Sequence, residues 1–167
     1  LEDFGYTVSI PELQKAMGND DCFSLVEIAS YGAKGACAYA AHCRQLGYVD
    51  EDVMTGIHQV FAKVASNQAD MEGLLANALR VGELNGKILE MLDTAHASSF
   101  GAPEPTQVKV TATMGKCILV SGHDLLDLET LLKQTEGTGV NVYTHGEMLP
   151  AHGYPGLKKY SHLVGNY

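Results

Sequence analysis

Apolar positions recur at spacings of three and four through the first part of the chain, the period of a helix with one buried stripe. Between Asp21 and Leu46 the stripe is Leu25, Ile28, Ala29, Gly32, Ala36, Ala40 and Cys43. Asp20 or Asp21 is placed to cap its start and Gly47 to end it, since a carboxylate satisfies free N–H groups and glycine accepts the left-handed turn after a helix. A second helix is expected from Glu51 to about Ser66, on Val53, Ile57, Val60, Phe61 and Val64. A third runs from about Gln68 to Ala95, on Met71, Leu74, Leu75, Ala78, Leu79, Ile88, Leu89 and Leu92. Gly82 and Gly86 lower its propensity by about 1 kcal/mol each relative to alanine, and mark where a bend or break would fall. A short helical turn can start at Pro11, where proline suits the first turn. Three helices with short connections form an antiparallel bundle.

The period is lost between Ala97 and Thr106, where Ser98, Ser99, Gly101, Pro103 and Pro105 mark a boundary. Residues 1–100 read as the helical bundle and 101–167 as a partial α/β domain. Val108–Thr113 alternates and is rich in β-branched residues, as a strand would be. Cys117-Ile118-Leu119-Val120 is a continuous apolar run, the mark of a strand buried on both faces of a parallel sheet. Leu125, Leu126, Leu128, Leu131 and Leu132 then predict a helix capped by Asp124 and stopped by Gly137 and Gly139. Val140–Thr144 supplies the next strand, and His162-Leu163-Val164 a third short one. Strand, helix and strand make a β-α-β unit with a right-handed crossover. The fold class is α + α/β: an antiparallel helical bundle followed by the start of a parallel, Rossmann-like sheet.

Composition narrows the function without changing that picture. The 167 residues are 46% apolar and 19% charged, enough to bury a real core. Acidic residues outnumber Lys and Arg by 20 to 11, and the net charge of −9 repels phosphate backbones, so no nucleic-acid partner is expected. No apolar run approaches the roughly 20 residues of a membrane helix and no basic-then-apolar leader opens the sequence, so no membrane association is expected either. Cys22, Cys37, Cys43 and Cys117 form no C-x-x-C pair, and Cys37 and Cys43 lie about 240° apart around a helix. They read as free packing thiols of a cytoplasmic protein.

The candidate chemistry sits in the second region. Gly122-His123, Gly146-Glu147 and Gly165-Asn166 each pair a glycine with a polar residue at the carboxyl end of an expected strand, where open parallel sheets bind ligands. If the first two strands are neighbours about 4.8 Å apart, His123 and Glu147 can reach one ion. Imidazole nitrogen and carboxylate oxygen suit iron, zinc or manganese. The plainer readings are a helix-capping or surface His and a solvated Glu. His145 and His152 can join a mononuclear site, orient the ligands through hydrogen bonds, or be polar loop residues, with His145 pointing away from Glu147. His42, His58 and His96 read as surface or packing residues, and Lys158-Lys159 as a solvated face. A phosphate-binding loop, a G-x-S-x-G turn and H-E-x-x-H are all absent from the sequence, and the adjacent Ser121, His123 and Asp124 cannot form a catalytic relay.

The stretch from Gly115-Lys116-Cys117-Ile118-Leu119-Val120-Ser121-Gly122-His123-Asp124 through Val140-Asn141-Val142-Tyr143-Thr144-His145-Gly146-Glu147-Met148-Leu149-Pro150-Ala151-His152 closely resembles the hybrid-cluster (prismane) proteins, or hydroxylamine reductases. Tyr31-Gly32-Ala33-Lys34-Gly35-Ala36-Cys37-Ala38-Tyr39-Ala40 resembles part of that family's N-terminal helical domain. The family is similar in fold to the carbon monoxide dehydrogenases. The resemblance implies that His123 and Glu147 are metal ligands of a hybrid iron-sulfur-oxygen cluster of the 4Fe type, shared with residues outside this chain. It further implies reduction of hydroxylamine to ammonia or of nitric oxide to nitrous oxide, a small-molecule nitrogen substrate, a redox electron donor, and docking on the remainder of the same protein or a complementary chain. The family's N-terminal cysteine motif, which holds a cubane iron-sulfur cluster in the full-length protein, has no match here, and the four cysteines do not match cluster ligands. The chain, which opens on Leu1, is therefore expected to be an internal portion, inactive in isolation. A metal-free structural module and a mononuclear site of His123, Glu147 and His152 stand as alternatives.

Overall fold

The computed structural model describes residues 9–66 and 70–167. The chain divides into two compact units, one ending at Leu92 and the other spanning Asp93–Tyr167. The first holds α1 (Ile10–Met17), α2 (Asp20–Gln45), α3 (Glu51–Ala65) and most of α4 (Met71–Phe100). Pro11 lies in the first turn of α1, and Gly18, at φ 65°, ends it. Helix α2 is capped by Asn19, not by Asp20 or Asp21: its side chain accepts from the Cys22 N–H at 2.9 Å. The two aspartates instead occupy the first turn, where their charge faces the positive end of the helix dipole. Gly47, at φ 87°, closes α2, with its N–H bonded to Arg44 and that of Tyr48 to Cys43.

Ala29, Ala33, Ala36 and Ala40 of α2 meet Val53, Ile57 and Val60 of α3 and Val81, Leu84, Ile88 and Leu92 of α4 in one buried cluster. The small residues of α2 let the helices approach closely: a Cβ on Gly32 would stand 2.7 Å from Val81 Cγ1, and one on Gly56 2.6 Å from Leu84 Cδ2. Helix α4 runs unbroken through Gly82 and Gly86. Both glycines are exposed, and burial of Val81, Leu84, Ile88 and Leu92 outweighs a propensity cost of about 1 kcal/mol apiece. The expected start near Gln68 lies outside the described residues. At the other end the helix continues through Ala97–Phe100, which the sequence places in the boundary, because Ala95 and Phe100 are buried.

In the second unit, β1 (Cys117–Ser121), α5 (Leu125–Thr135) and β2 (Asn141–His145) form the β-α-β unit, followed by a 3-10 segment (Gly146–Gly153), α6 (Pro155–Lys158) and β3 (Leu163–Asn166). The sheet is parallel, in the order β1-β2-β3. Two expectations fail here. Strand β1 is an edge strand with Cys117 and Leu119 exposed, and β2, whose Val142, Tyr143 and Thr144 are all buried, is the central one. Val108–Thr113 is no strand: it is joined to the sheet by isolated bonds, Asn166 N–H to the Lys109 carbonyl at 2.9 Å and Thr113 N–H to the Tyr143 hydroxyl at 2.6 Å. Lys158 is paired with Glu104 at 2.6 Å, and the Lys159 ammonium lies over the Tyr160 ring. Among the described residues, no helix is long and apolar enough to cross a membrane.

Candidate metal centre

Strands β1 and β2 run side by side and finish level. Ser121 registers with His145, and each strand then turns away on a glycine with positive φ, Gly122 at 140° and Gly146 at 54°. An L side chain would strain both turns, which explains glycine at each. His123 and Glu147 are the next residues, both exposed, so they leave the same carboxyl end of adjacent parallel strands. The turns are also packed together. The Met148 methyl lies 3.9 Å from where a Cβ on Gly122 would stand, placing the neighbour of Glu147 against the neighbour of His123. Asp124 fixes the far side of the first turn by capping α5, its carboxylate accepting from Leu126 N–H at 2.8 Å and Asp127 N–H at 3.1 Å.

The third glycine junction does not repeat this pattern. Gly165 lies inside β3, and Asn166, still in the strand, registers with Thr144. Gly165 answers to space: a Cβ there would collide with the Lys109 carbonyl. His145 ends β2, its Nδ1 3.4 Å from Ser121 Oγ, linking the two strand ends. His152 is buried, 6% exposed, with Nε2 2.8 Å from Thr144 Oγ1. The same hydroxyl donates to Asn166 Oδ1 at 3.0 Å. Burial pushes the His152 pKa below the usual imidazole value, partly offset by a backbone hydrogen bond with Gly165. Its ring is thus engaged inside the sheet. Among the described residues no three His, Cys, Asp or Glu side chains come together to hold a metal ion, so the mononuclear site of His123, Glu147 and His152 is not assembled. Thr144 escaped the sequence reading, because a threonine in a β-branched run looks like any strand residue.

Cys22 and Cys43 are buried free thiols and Cys37 is half-buried, with burial raising the pKa of Cys37 and Cys43. Cys117 departs from the packing reading: it is exposed on the edge strand.

These features sit in a recognisable sequence context, since the family described as Prismane/CO dehydrogenase matches residues 2–167. The chain belongs to the Prismane/CO dehydrogenase family. Among relatives named hydroxylamine reductase, the protein of Salmonella paratyphi C (strain RKS4594) is 52% identical over 158 residues, covering 95% of this chain and 29% of that protein. The one from Escherichia coli (strain SMS-3-5 / SECEC) is 52% identical over 157 residues, covering 94% and 28%. This Prismane-family chain therefore spans less than a third of the length of those relatives.

Proposed function

We propose that this chain forms part of a cytoplasmic iron-sulfur oxidoreductase that reduces hydroxylamine to ammonia, or nitric oxide to nitrous oxide, and that His123 and Glu147 hold iron within it. The observation that carries this reading is the matched pair of glycine turns at the level ends of β1 and β2, from which an imidazole and a carboxylate emerge together. Both donors are harder than thiolate or sulfide, and suit an iron site that accepts an oxygen- or nitrogen-bearing substrate. Since no three His, Cys, Asp or Glu side chains come together among the described residues, the remaining ligands of a hybrid iron-sulfur-oxygen cluster, and those of a cubane cluster, belong to parts of the protein outside this chain. When bound, the hybrid cluster supplies electrons to the N–O bond. His123 contributes a neutral nitrogen and Glu147 a negative oxygen that offsets metal charge. The Gly122 and Gly146 turns hold both backbones at one edge, and a redox electron donor delivers reducing equivalents to the assembled enzyme.

The test is iron and acid-labile sulfide analysis of the full-length protein carrying His123→Ala or Glu147→Ala. Each variant is expected to lose iron relative to the unmodified protein and to lose hydroxylamine reduction with it. Full iron in both variants would overturn the assignment.

A further inference from the structure

The 3-10 segment that carries Glu147 is closed on itself by buried polar groups. It leaves β2 after His145, one residue beyond Thr144, and comes back to the same hydroxyl through His152, whose Nε2 lies 2.8 Å from Thr144 Oγ1. Thr144 is 0% exposed and donates to Asn166 Oδ1 on β3 at 3.0 Å, while the Tyr167 N–H bonds to the Thr144 carbonyl at 2.9 Å. Between the two anchors Met148 and Ala151 are buried and Glu147 is exposed. The segment therefore has one side fixed in the sheet and a single acidic side chain presented from the other. Ordinary loop packing does not require a buried hydroxyl and a buried imidazole joined to a half-buried carboxamide. Three apolar side chains would fill the same space without the desolvation cost. What the polar junction adds is direction, because hydrogen bonds fix orientation where apolar contacts allow sliding.

We propose that Thr144, His152 and Asn166 are positioning residues for Glu147: they set the backbone of the 3-10 segment so that the carboxylate stands beside the His123 turn. The inference rests on the reading of Glu147 as an iron ligand. Groups that orient a metal ligand alter metal affinity by roughly 10- to 100-fold when removed.

The experiment uses the full-length protein with Thr144→Val, Thr144→Ser, Glu147→Ala and Leu132→Ala. Iron per chain, the electron paramagnetic resonance spectrum of the reduced protein and the melting temperature are measured on each. Thr144→Val keeps the shape of the side chain and removes the hydroxyl. It is expected to lower the affinity for iron about 10-fold and to change the resonance spectrum, while Thr144→Ser restores both. Leu132 is buried in α5 and is not one of the groups hydrogen-bonded at the junction, so Leu132→Ala controls for lost stability, and it is expected to melt lower yet keep the native spectrum. A Thr144→Val protein that melts lower but retains its iron and its spectrum, alongside an iron-depleted Glu147→Ala, would overturn the positioning role and leave Glu147 as a ligand. Full iron in Glu147→Ala would remove the ligand reading itself, and the positioning role with it.

Discussion

Four helical glycines should respond to alanine with opposite signs, and the structure sets the sign. On α4, Gly82 and Gly86 have nothing within 4 Å of an added Cβ. Alanine there gains helix propensity and restricts the unfolded chain, about 0.7 kcal/mol per site and about 1.5 kcal/mol for the pair. At Gly56 of α3 the new Cβ would lie 2.6 Å and 3.1 Å from the two Leu84 methyls, and Leu84 is only 2% exposed, so its side chain must leave its present position and repack within the core. Overpacking of this kind costs roughly 1–3 kcal/mol, which exceeds the propensity gain and leaves a net loss of about 1 kcal/mol. Gly32 faces Val81 in the same way, at 2.7 Å. Urea unfolding followed by far-ultraviolet circular dichroism reads the difference. With a denaturant slope of about 2 kcal/mol/M, Gly82→Ala/Gly86→Ala should raise the midpoint by about 0.7 M and Gly56→Ala lower it by about 0.5 M. Midpoints that move together, in either direction, would refute the claim that close helix approach is what glycine provides at Gly56.

Other predictions are more local. Asp50 accepts from Asp52 N–H and Val53 N–H at 2.9 Å and 3.0 Å, so Asp50→Ala should destabilise α3 by about 1 kcal/mol, seen as a lower urea midpoint. His152 has a folded pKa below the 6.5 of a free imidazole, so the unfolded chain binds the proton more readily. Stability is therefore highest above pH 6.5, where both states are neutral, and falls as the pH drops through 6.5 toward the lower folded pKa; His152→Gln should flatten that part of the urea-midpoint profile. Cys117 should be the first thiol alkylated by a maleimide in the native chain, with Cys22 and Cys43 protected until unfolding, as peptide mapping by mass spectrometry will show.

Sequence alone determined what one element can encode by itself. The stripe through Ala29, Ala36, Ala40 and Cys43, the cap at Asp124, the stop at Gly47 and the β-α-β order are all local patterns, because a helix period, an N-cap and a left-handed turn each involve residues a few positions apart. The placement of His123 and Glu147 just beyond two strands was legible for the same reason. Only the tertiary structure decided which neighbour fills each space and each hydrogen bond. It made β2 rather than the more continuously apolar β1 the central strand, and left Val108–Thr113 with two isolated bonds where its alternation predicts a ladder. It separated Gly56, pressed against Leu84, from Gly86, which faces open space. It also joined Thr144, His152 and Asn166 through one hydroxyl. Each of these depends on residues distant in sequence meeting in a close-packed interior, where one added methyl or one missing partner costs about as much as any local preference supplies.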